Sequence, residues 1–384
     1  MHRIICLLLF VICSPAAANE ADRFREDAQS IEKLIEDNYA YNERLPGGRL
    51  QLSQMLRAEA AQVNDKRSLL RYAERVLFTL ADHHAIAGAS LSNSWAVVPS
   101  YSDLWIEKKG ALYIVDAVRS GSPSEQAGLR EGDILVGVAG TPIEKAVGAF
   151  WSDLGLESTS ERDAFAARVL VAGRRDQPRA LTFKRGTEPP KEFVLTNLYI
   201  SSPAHAPIAV TGDNRNLIIK INDALGDTAT IAAFDEAMAK AKPRQQITID
   251  LTNTSGGGNT VVARGLMGWF VTKPTAYQVH RLPREERQSG VPRQWIEQVL
   301  PRAGKHHKGP VVIHVGRWTG SMGEGLAIGF SSIGAKVTGD RMAGLLGAIY
   351  DYKLPASGIV VKLPTERLMS VEGVARENFV PKPK

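Results

Sequence analysis

Apolar residues recur at helical spacing in the first part of the chain, residues 19–95. One run places four of them on a single helical face, Ile31, Leu34, Ile35 and Tyr39. A second helix is predicted over residues 68–80, where apolar side chains again share one face. Residues 96–198 instead carry short apolar runs separated by turn residues, which predict strands that include 134–138, 179–185 and 192–196.

From residue 199 to residue 384, strands and helices are predicted to alternate. Runs typical of buried strands cover residues 216–222, 246–251 and 310–315, and amphipathic helices are expected at 228–241, 261–270 and 321–333. Two strand–turn–helix units bring their turns to the same edge of a sheet, where α/β folds place active sites. The pattern therefore predicts an α/β core that follows a helical region and a strand-rich insert.

The first 18 residues have the organisation of a secretory signal peptide. Arg3 precedes an apolar run, and Pro15 and three alanines follow it as a small-residue cleavage site. We therefore expect export, to the periplasm, with an uncleaved membrane anchor as the alternative. Both cysteines, Cys6 and Cys13, lie in this segment, so the processed chain would have no disulfide or thiolate.

Charge and histidine spacing narrow the range of partners. The formal net charge of +6 is spread along the chain without a long basic run, and nucleic acid is therefore not an expected partner. The pairs His83–His84 and His306–His307 could supply metal ligands, but they lack the residue spacing that is typical of ligands on a metal-binding helix. We expect no metal, no coenzyme and no other cofactor.

One motif stands out in the strand-rich part, from Gly121 to Leu135. Pro123 begins a predicted short helix, Gly128 ends it, and Gly132 turns the chain into a strand. This run resembles the PDZ family, which implies a β-barrel that binds extended peptides at a sheet edge. The family's carboxylate-binding loop would fall at Ser102, Asp103, Leu104 and Trp105. Because a carboxylate at that loop would be repelled by the aspartate, a structural module is the alternative.

Two small-residue turns carry the candidate chemistry of the α/β core. Gly256, Gly257 and Gly258 follow the strand at 246–251 and would expose backbone N–H groups to a developing oxyanion. Ser321 begins a helix after the strand at 310–315, which would expose its hydroxyl group. A serine at that position is most often a helix cap, and this reading remains open.

The motifs around these turns resemble those of the carboxyl-terminal processing proteases and their tricorn-like relatives. Matching runs are Asp250–Gly258, Thr319–Glu324 and Val337–Asp340, and the resemblance extends over nearly the whole processed chain. It implies an α/β (α+β) crotonase-like protease core at 199–384 with an N-terminal helical region and an inserted PDZ-like β-barrel domain. It also implies Ser321 as nucleophile and protein or peptide substrates, and it leaves oligomeric state open, homo-oligomers included.

The resemblance also bears on the base that would activate Ser321. Leu345 stands where the processing proteases place a catalytic lysine, which argues against a Ser–Lys dyad. The tricorn-like relatives imply a Ser–His site, with His84 as base and Glu377 orienting it directly or through a relay. His314 is the alternative base. The backbone N–H of Met322, together with that of Gly256 or Gly257, would form the oxyanion hole.

The predicted activity is that of an exported serine endopeptidase or processing protease. The PDZ-like domain would bind substrate or gate the site. Two other functions stay open: a catalytically inactive peptide-binding relative, which the missing lysine favours, and a crotonase-like acyl-transfer or hydration enzyme. Export disfavours the second, because coenzyme A is cytoplasmic.

Overall fold

The structure, a computed structural model, describes residues 15–201, 206–222 and 225–382. Most of the predicted signal peptide, residues 1–14, lies outside the described residues. The N-terminal region forms helices α1 (Pro15–Asn38), α2 (Gln54–Gln62) and α3 (Lys66–Phe78), followed by the short strand β1 (Ile86–Ala87). Ile31, Ile35 and Tyr39 are buried, which confirms the apolar face of the first helix. Among the described residues, no helix is both long and apolar enough to cross a membrane.

The strand-rich insert folds as one twisted sheet with three helices. In chain order it contains β2 (Leu104–Lys109), β3 (Leu112–Val118), α4 (Pro123–Gln126), β4 (Ile134–Val138), β5 (Thr141–Pro142), α5 (Ile143–Ser152), α6 (Ser160–Ala172), β6 (Arg179–Lys184) and β7 (Lys191–Leu195). The strand order is β2-β3-β4-β6-β7, with β5 paired beside β4. The predicted strands near 134, 179 and 192 are therefore confirmed, and β2 lies at the edge where α6 packs.

The rest of the chain alternates strands and helices, as its apolar pattern predicts. Its elements are α7 (Leu198–Ser201), β8 (Ile208–Gly212), β9 (Asn216–Ile221), α8 (Ala229–Ala239), β10 (Gln246–Asp250), α9 (Thr260–Met267), β11 (Thr275–Arg281), α10 (Pro283–Ser289), β12 (Gln294–Val299), β13 (Val311–Val315), α11 (Met322–Ser332), β14 (Lys336–Gly339), β15 (Ala348–Lys353) and β16 (Val360–Met369). A last 3₁₀ turn covers Arg376–Asn378.

Two sheets organise these elements. The first has the order β14-β13-β10-β9-β8, in which β9, β10, β13 and β14 are parallel and β8 is antiparallel. The second has the order β1-β16-β11-β12, with β15 beside β16. Helix α11 packs against strands of both sheets. Because β1 pairs with β16, the chain just before β1 is held against the core, and that segment contains His84.

Candidate active site

Ser321 lies in the loop between β13 and α11, at the carboxyl edge of the parallel sheet. Its backbone has φ 50° and ψ −113°, a conformation that is strained for any residue with a side chain. The loop is tied to the end of β10, since Thr319 Oγ1 donates to the Leu251 carbonyl (2.7 Å) and the Gly320 N–H donates to the Thr254 carbonyl (2.9 Å). The two turns therefore meet at one sheet edge, as the sequence predicts.

His84 lies in the turn between α3 and β1 and is only 4% exposed. Asp82 shapes this turn, because its carboxylate accepts the backbone N–H of His84 (2.8 Å) and the hydroxyl of Tyr39 (2.9 Å). Burial raises the pKa of Asp82 to about 6, although the N–H of His84, Arg44 and Tyr39 oppose this rise. The histidine is thus held by a buried carboxylate through its backbone.

The imidazole of His84 connects two loops of the core. Its Nε2 lies 3.0 Å from Ser321 Oγ, and its Nδ1 lies 2.6 Å from the carbonyl oxygen of Leu346. A carbonyl can only accept, so Nδ1 carries the proton and Nε2 presents its lone pair to the serine hydroxyl. Burial and the nearby Arg376 lower the pKa of His84 to about 4, so the ring is neutral at neutral pH.

Glu377 does not contact the imidazole directly. The partner of Nδ1 is the Leu346 carbonyl, so the expectation that Glu377 orients His84 by direct contact is corrected. Glu377 is the middle residue of the last 3₁₀ turn and lines a small cavity with Glu324 and Arg376. One of its carboxylate oxygens is buried without a hydrogen-bond partner among the described residues. A relay from Glu377 to His84 stays a prediction.

The glycine turn lies directly beside Ser321. A Cβ atom added to Gly256 would be 4.0 Å from the Cβ of Ser321, and one added to Gly258 would be 2.3 Å from the Cβ of Met322. Only glycine at position 258 therefore allows the turn at 256–258 to approach the start of α11 this closely. Gly257 has φ 68° and packs its carbonyl near Gly226. The N–H of Met322 is in the first turn of α11, where no intrahelical acceptor exists.

The predicted peptide-binding residues of the insert are buried. Ser102, Asp103 and Leu104 are 0% exposed, and Trp105 is 1% exposed. Asp103 receives two hydrogen bonds from the Arg179 guanidinium (2.5 and 3.0 Å) and one from the N–H of Ser124 (3.1 Å). The expectation that these four side chains contact a peptide is therefore corrected, because all four are buried, and Trp105 packs in one cluster with Trp318 and Leu345 of the α/β core.

His314, His83 and Leu345, which stands where the processing proteases place a lysine, lie among packed or paired residues of the fold. His314 lies within β13, paired with Asp250 and Thr338 on the neighbouring strands. The ring of His83 stacks on Phe165 at 4.3 Å between centroids. In the described part of the chain, no three His, Cys, Asp or Glu side chains are grouped to hold a metal ion. Leu345, at the position of the missing lysine, is buried with Trp318 and Ala343.

Two features of the site were not predicted from the sequence. One is the Leu346 carbonyl, which the sequence cannot mark as special because every residue has a backbone carbonyl. The other is Arg376, which is 2% exposed and donates to carbonyls of the loop at 345–347. Arginine side chains are mostly exposed in folded proteins, so the sequence alone gives no sign that this one is buried.

Comparisons with known proteins agree with this architecture. The model of the PDZ domain family matches residues 114–147. Over 95% of its length the chain superimposes on a solved photosystem II D1 C-terminal processing protease, with 16% identity, 92% coverage of that chain and a TM-score of 0.53. A structure of mature CPAF complexed with lactacystin has 13% identity, 94% coverage of its own chain, 95% coverage of this one and a TM-score of 0.59. No curated protein matches significantly. The chain thus contains a PDZ domain within a mixed α/β fold similar to that of these structures, which confirms the resemblance of its fold to that of a processing protease.

Proposed function

We propose that the protein is an exported serine peptidase that hydrolyses peptide bonds of protein substrates. Ser321 is the nucleophile and His84 is the base. The observation that supports this most directly is the 3.0 Å contact between His84 Nε2 and Ser321 Oγ, in the tautomer that accepts the hydroxyl proton. The PDZ domain and the fold shared with solved processing proteases support a peptide substrate.

The geometry allows the usual sequence of acyl transfer. His84 Nε2 takes the proton of Ser321 Oγ while the oxygen attacks the carbonyl carbon of the scissile peptide bond. The carbonyl oxygen becomes an oxyanion, and the N–H groups of Met322 and of Gly256 or Gly257 receive it. The imidazolium then returns its proton to the leaving amine. A water molecule, activated by the same imidazole, hydrolyses the acyl ester and restores Ser321.

The surroundings of His84 determine how strong this base is: burial lowers its pKa most, Arg376 lowers it further, and the Leu346 carbonyl opposes this change. A neutral acceptor stabilises the imidazolium less than a carboxylate does, and the buried Arg376 opposes the positive charge further. A pKa near 4 keeps His84 unprotonated at neutral pH but gives proton transfer little driving force. We therefore expect a modest intrinsic reactivity of Ser321.

The PDZ domain would receive a peptide along the edge of β2, for substrate binding or gating. In the structure, the Nε of Arg168 donates to the Ile106 carbonyl of that strand (2.9 Å), and its guanidinium covers Trp105 and pairs with Glu107. A peptide that adds a strand there would have to replace this hydrogen bond. Because His84 and Ser321 already lie in contact, gating need not act by assembling that pair.

A second function rests on the same observation. A histidine whose Nδ1 faces a carbonyl, in place of the expected carboxylate, is also what a catalytically inactive peptide-binding relative would contain. Such a protein would bind peptides through the PDZ domain and would leave them intact. This second function predicts a folded protein whose Ser321 does not react with serine-directed reagents.

Labelling with a fluorophosphonate probe decides between the two functions. The processed protein is compared with Ser321→Ala and His84→Ala, and with His306→Ala as an exposed control. We expect labelling at Ser321 in the parent and the control and its loss in the other two variants. A folded parent protein that is neither labelled nor able to cleave denatured protein substrates would exclude the peptidase and favour the inactive relative.

A further inference from the structure

Beyond the residues of the proposed reaction, a buried carboxylate collects backbone donors from two loops. Glu324 on α11 is 0% exposed. Its oxygens accept the N–H of Ser321 (2.8 Å), of Gly344 (2.9 Å) and of Leu345 (3.2 Å). The carboxylate therefore ties the nucleophile turn to the loop at 344–347.

A buried guanidinium collects the acceptors of the same two loops. Arg376, 2% exposed, donates to the carbonyls of Leu345 (2.8 Å) and Gly347 (2.5 Å), with a longer contact to the carbonyl of Ser321 (3.4 Å). Its two short contacts flank Leu346, whose carbonyl accepts the Nδ1 proton of His84. Arg376 thus fixes the carbonyl that orients the imidazole.

We infer that Glu324 and Arg376 are positioning residues. They keep the Ser321 hydroxyl and the His84 imidazole in contact by holding the backbone of the two loops. The inference rests on the proposed function for its catalytic meaning. Neither side chain touches the reacting atoms, so both act through the main chain. The strained backbone of Ser321 makes such support necessary, because only surrounding contacts can hold a residue at φ 50°.

Two oppositely charged side chains can hold the backbone groups of these loops better than neutral side chains would. A carboxylate offers acceptor sites for several N–H groups, and a guanidinium offers a planar fork of donors. Buried N–H and carbonyl groups left without partners would destabilise the folded loops. The two charges also compensate each other, since Arg376 favours the ionised form of Glu324. A neutral replacement at either position leaves backbone groups without partners and one buried charge without its counterpart.

The arrangement has a pH dependence of its own. Burial raises the pKa of Glu324 to about 7, opposed by Arg376 and by the three N–H donors. Arg317, Arg341 and Glu377 are the other charged groups around the cavity that Glu324 borders. A protonated carboxyl oxygen becomes a donor and gives up an N–H group that it had accepted. Below neutral pH the two loops should therefore loosen while His84 is still neutral.

Amide hydrogen exchange tests the positioning role without reference to activity. At pH 8, Glu324→Gln should lose protection at the N–H groups of Ser321, Gly344 and Leu345 relative to the parent protein. Asp133→Asn, which removes another buried carboxylate bound to an arginine, is the matched control and should leave these three amides unchanged. Unchanged protection of all three in a folded Glu324→Gln protein would overturn the inference.

Fluorophosphonate labelling rates then connect positioning with reactivity. Glu324→Gln and Arg376→Met should each label about 10²-fold more slowly than the parent, as expected for a displaced reacting pair, and Arg376→Lys should recover part of the rate. The parent rate should fall from pH 8 to pH 6, and Glu324→Gln should lose this dependence. Labelling of Glu324→Gln at the parent rate, or with the same fall below pH 8, would contradict the inference. A parent protein that is not labelled at all contradicts the proposed function, and the exchange data still decide the positioning role.

Discussion

The Nδ1 atom of His84 donates its proton to the carbonyl oxygen of Leu346 at 2.6 Å. This contact fixes the tautomer and the plane of the ring without any ionised partner. In a triad with a carboxylate, the third group also stabilises the imidazolium that forms during the reaction. Here the Leu346 carbonyl orients the ring, but as a neutral acceptor it stabilises the imidazolium less than a carboxylate would.

We expect Glu377→Gln to keep fluorophosphonate labelling within a few-fold of the parent rate. The reason is that Leu346, and not Glu377, holds Nδ1 of His84. His84→Ala, by contrast, should lose about 10³-fold or more, because the general base is removed. Labelling rates of the three proteins at pH 8 provide the test. A loss for Glu377→Gln as large as that for His84→Ala would show that a relay connects the carboxylate to the ring.

The sequence predicts where the two turns of this site lie, but it does not predict the buried side chains that hold them in place. Parallel strands end at the same sheet edge, so the apolar runs that become β10 and β13 are enough to place Gly256 beside Ser321. Two of the three partners of Glu324 are the backbone N–H groups of Gly344 and Leu345, about twenty residues further along the chain, and every residue type except proline has such a group. Nothing in the local pattern marks which of them are chosen.

The second sheet was not predicted, for a related reason. Strand β16 buries consecutive residues, and therefore both of its faces, at 363–366, so the alternation typical of an exposed sheet is interrupted in its middle. Strand β12 lies at the edge and alternates, but exposed Ile296 interrupts the polar side of the pattern. Such strands are identified by their neighbours in space, and a single sequence does not contain that information.

Replacing Asp103 should destabilise the PDZ domain. Asp103 and Arg179 form a buried pair with side chains that are 0% and 1% exposed. Asp103→Asn leaves the guanidinium without its counterion, which typically costs about 3–5 kcal/mol of the free energy of unfolding. Urea unfolding measures the loss, and Glu236→Gln, in an exposed pair with Lys240, should show no measurable change. Equal stability of both variants would argue against a structural role for Asp103.

Removing the Arg168 side chain should strengthen peptide binding at the β2 edge. Arg168→Met frees the Ile106 carbonyl, which is otherwise bonded to the guanidinium at 2.9 Å. A peptide then no longer competes with a charged hydrogen bond, and we expect roughly tenfold tighter binding. Fluorescence polarisation with labelled C-terminal peptides measures the affinity. Arg174→Met, which removes an arginine stacked on Trp95, is the control. Weaker or unchanged binding in Arg168→Met would place the peptide elsewhere.

His280 should make the stability of the second sheet dependent on pH in the alkaline range. Burial alone would lower its pKa, but the neighbouring carboxylates of Glu297 and Glu366 raise the pKa to about 9 from a usual value of 6.5. Its Nδ1 bonds the carboxylate of Glu366, its Nε2 lies 3.2 Å from Glu297, and its ring stacks on Trp295.

The sign of the effect follows from that raised pKa. The folded state binds the proton more tightly than the unfolded state, so the stabilisation is fully present below pH 6.5 and is lost as the pH rises through 9. The free energy of unfolding in urea should therefore decrease between pH 6.5 and pH 9.5, and His280→Gln should reduce that decrease. His306→Gln, at an exposed position, should retain it in full. If the free energy of unfolding of His280→Gln falls with pH as steeply as that of the parent, other groups cause the pH dependence. The cluster of Glu366, His280 and Glu297 would then not hold a charged imidazole.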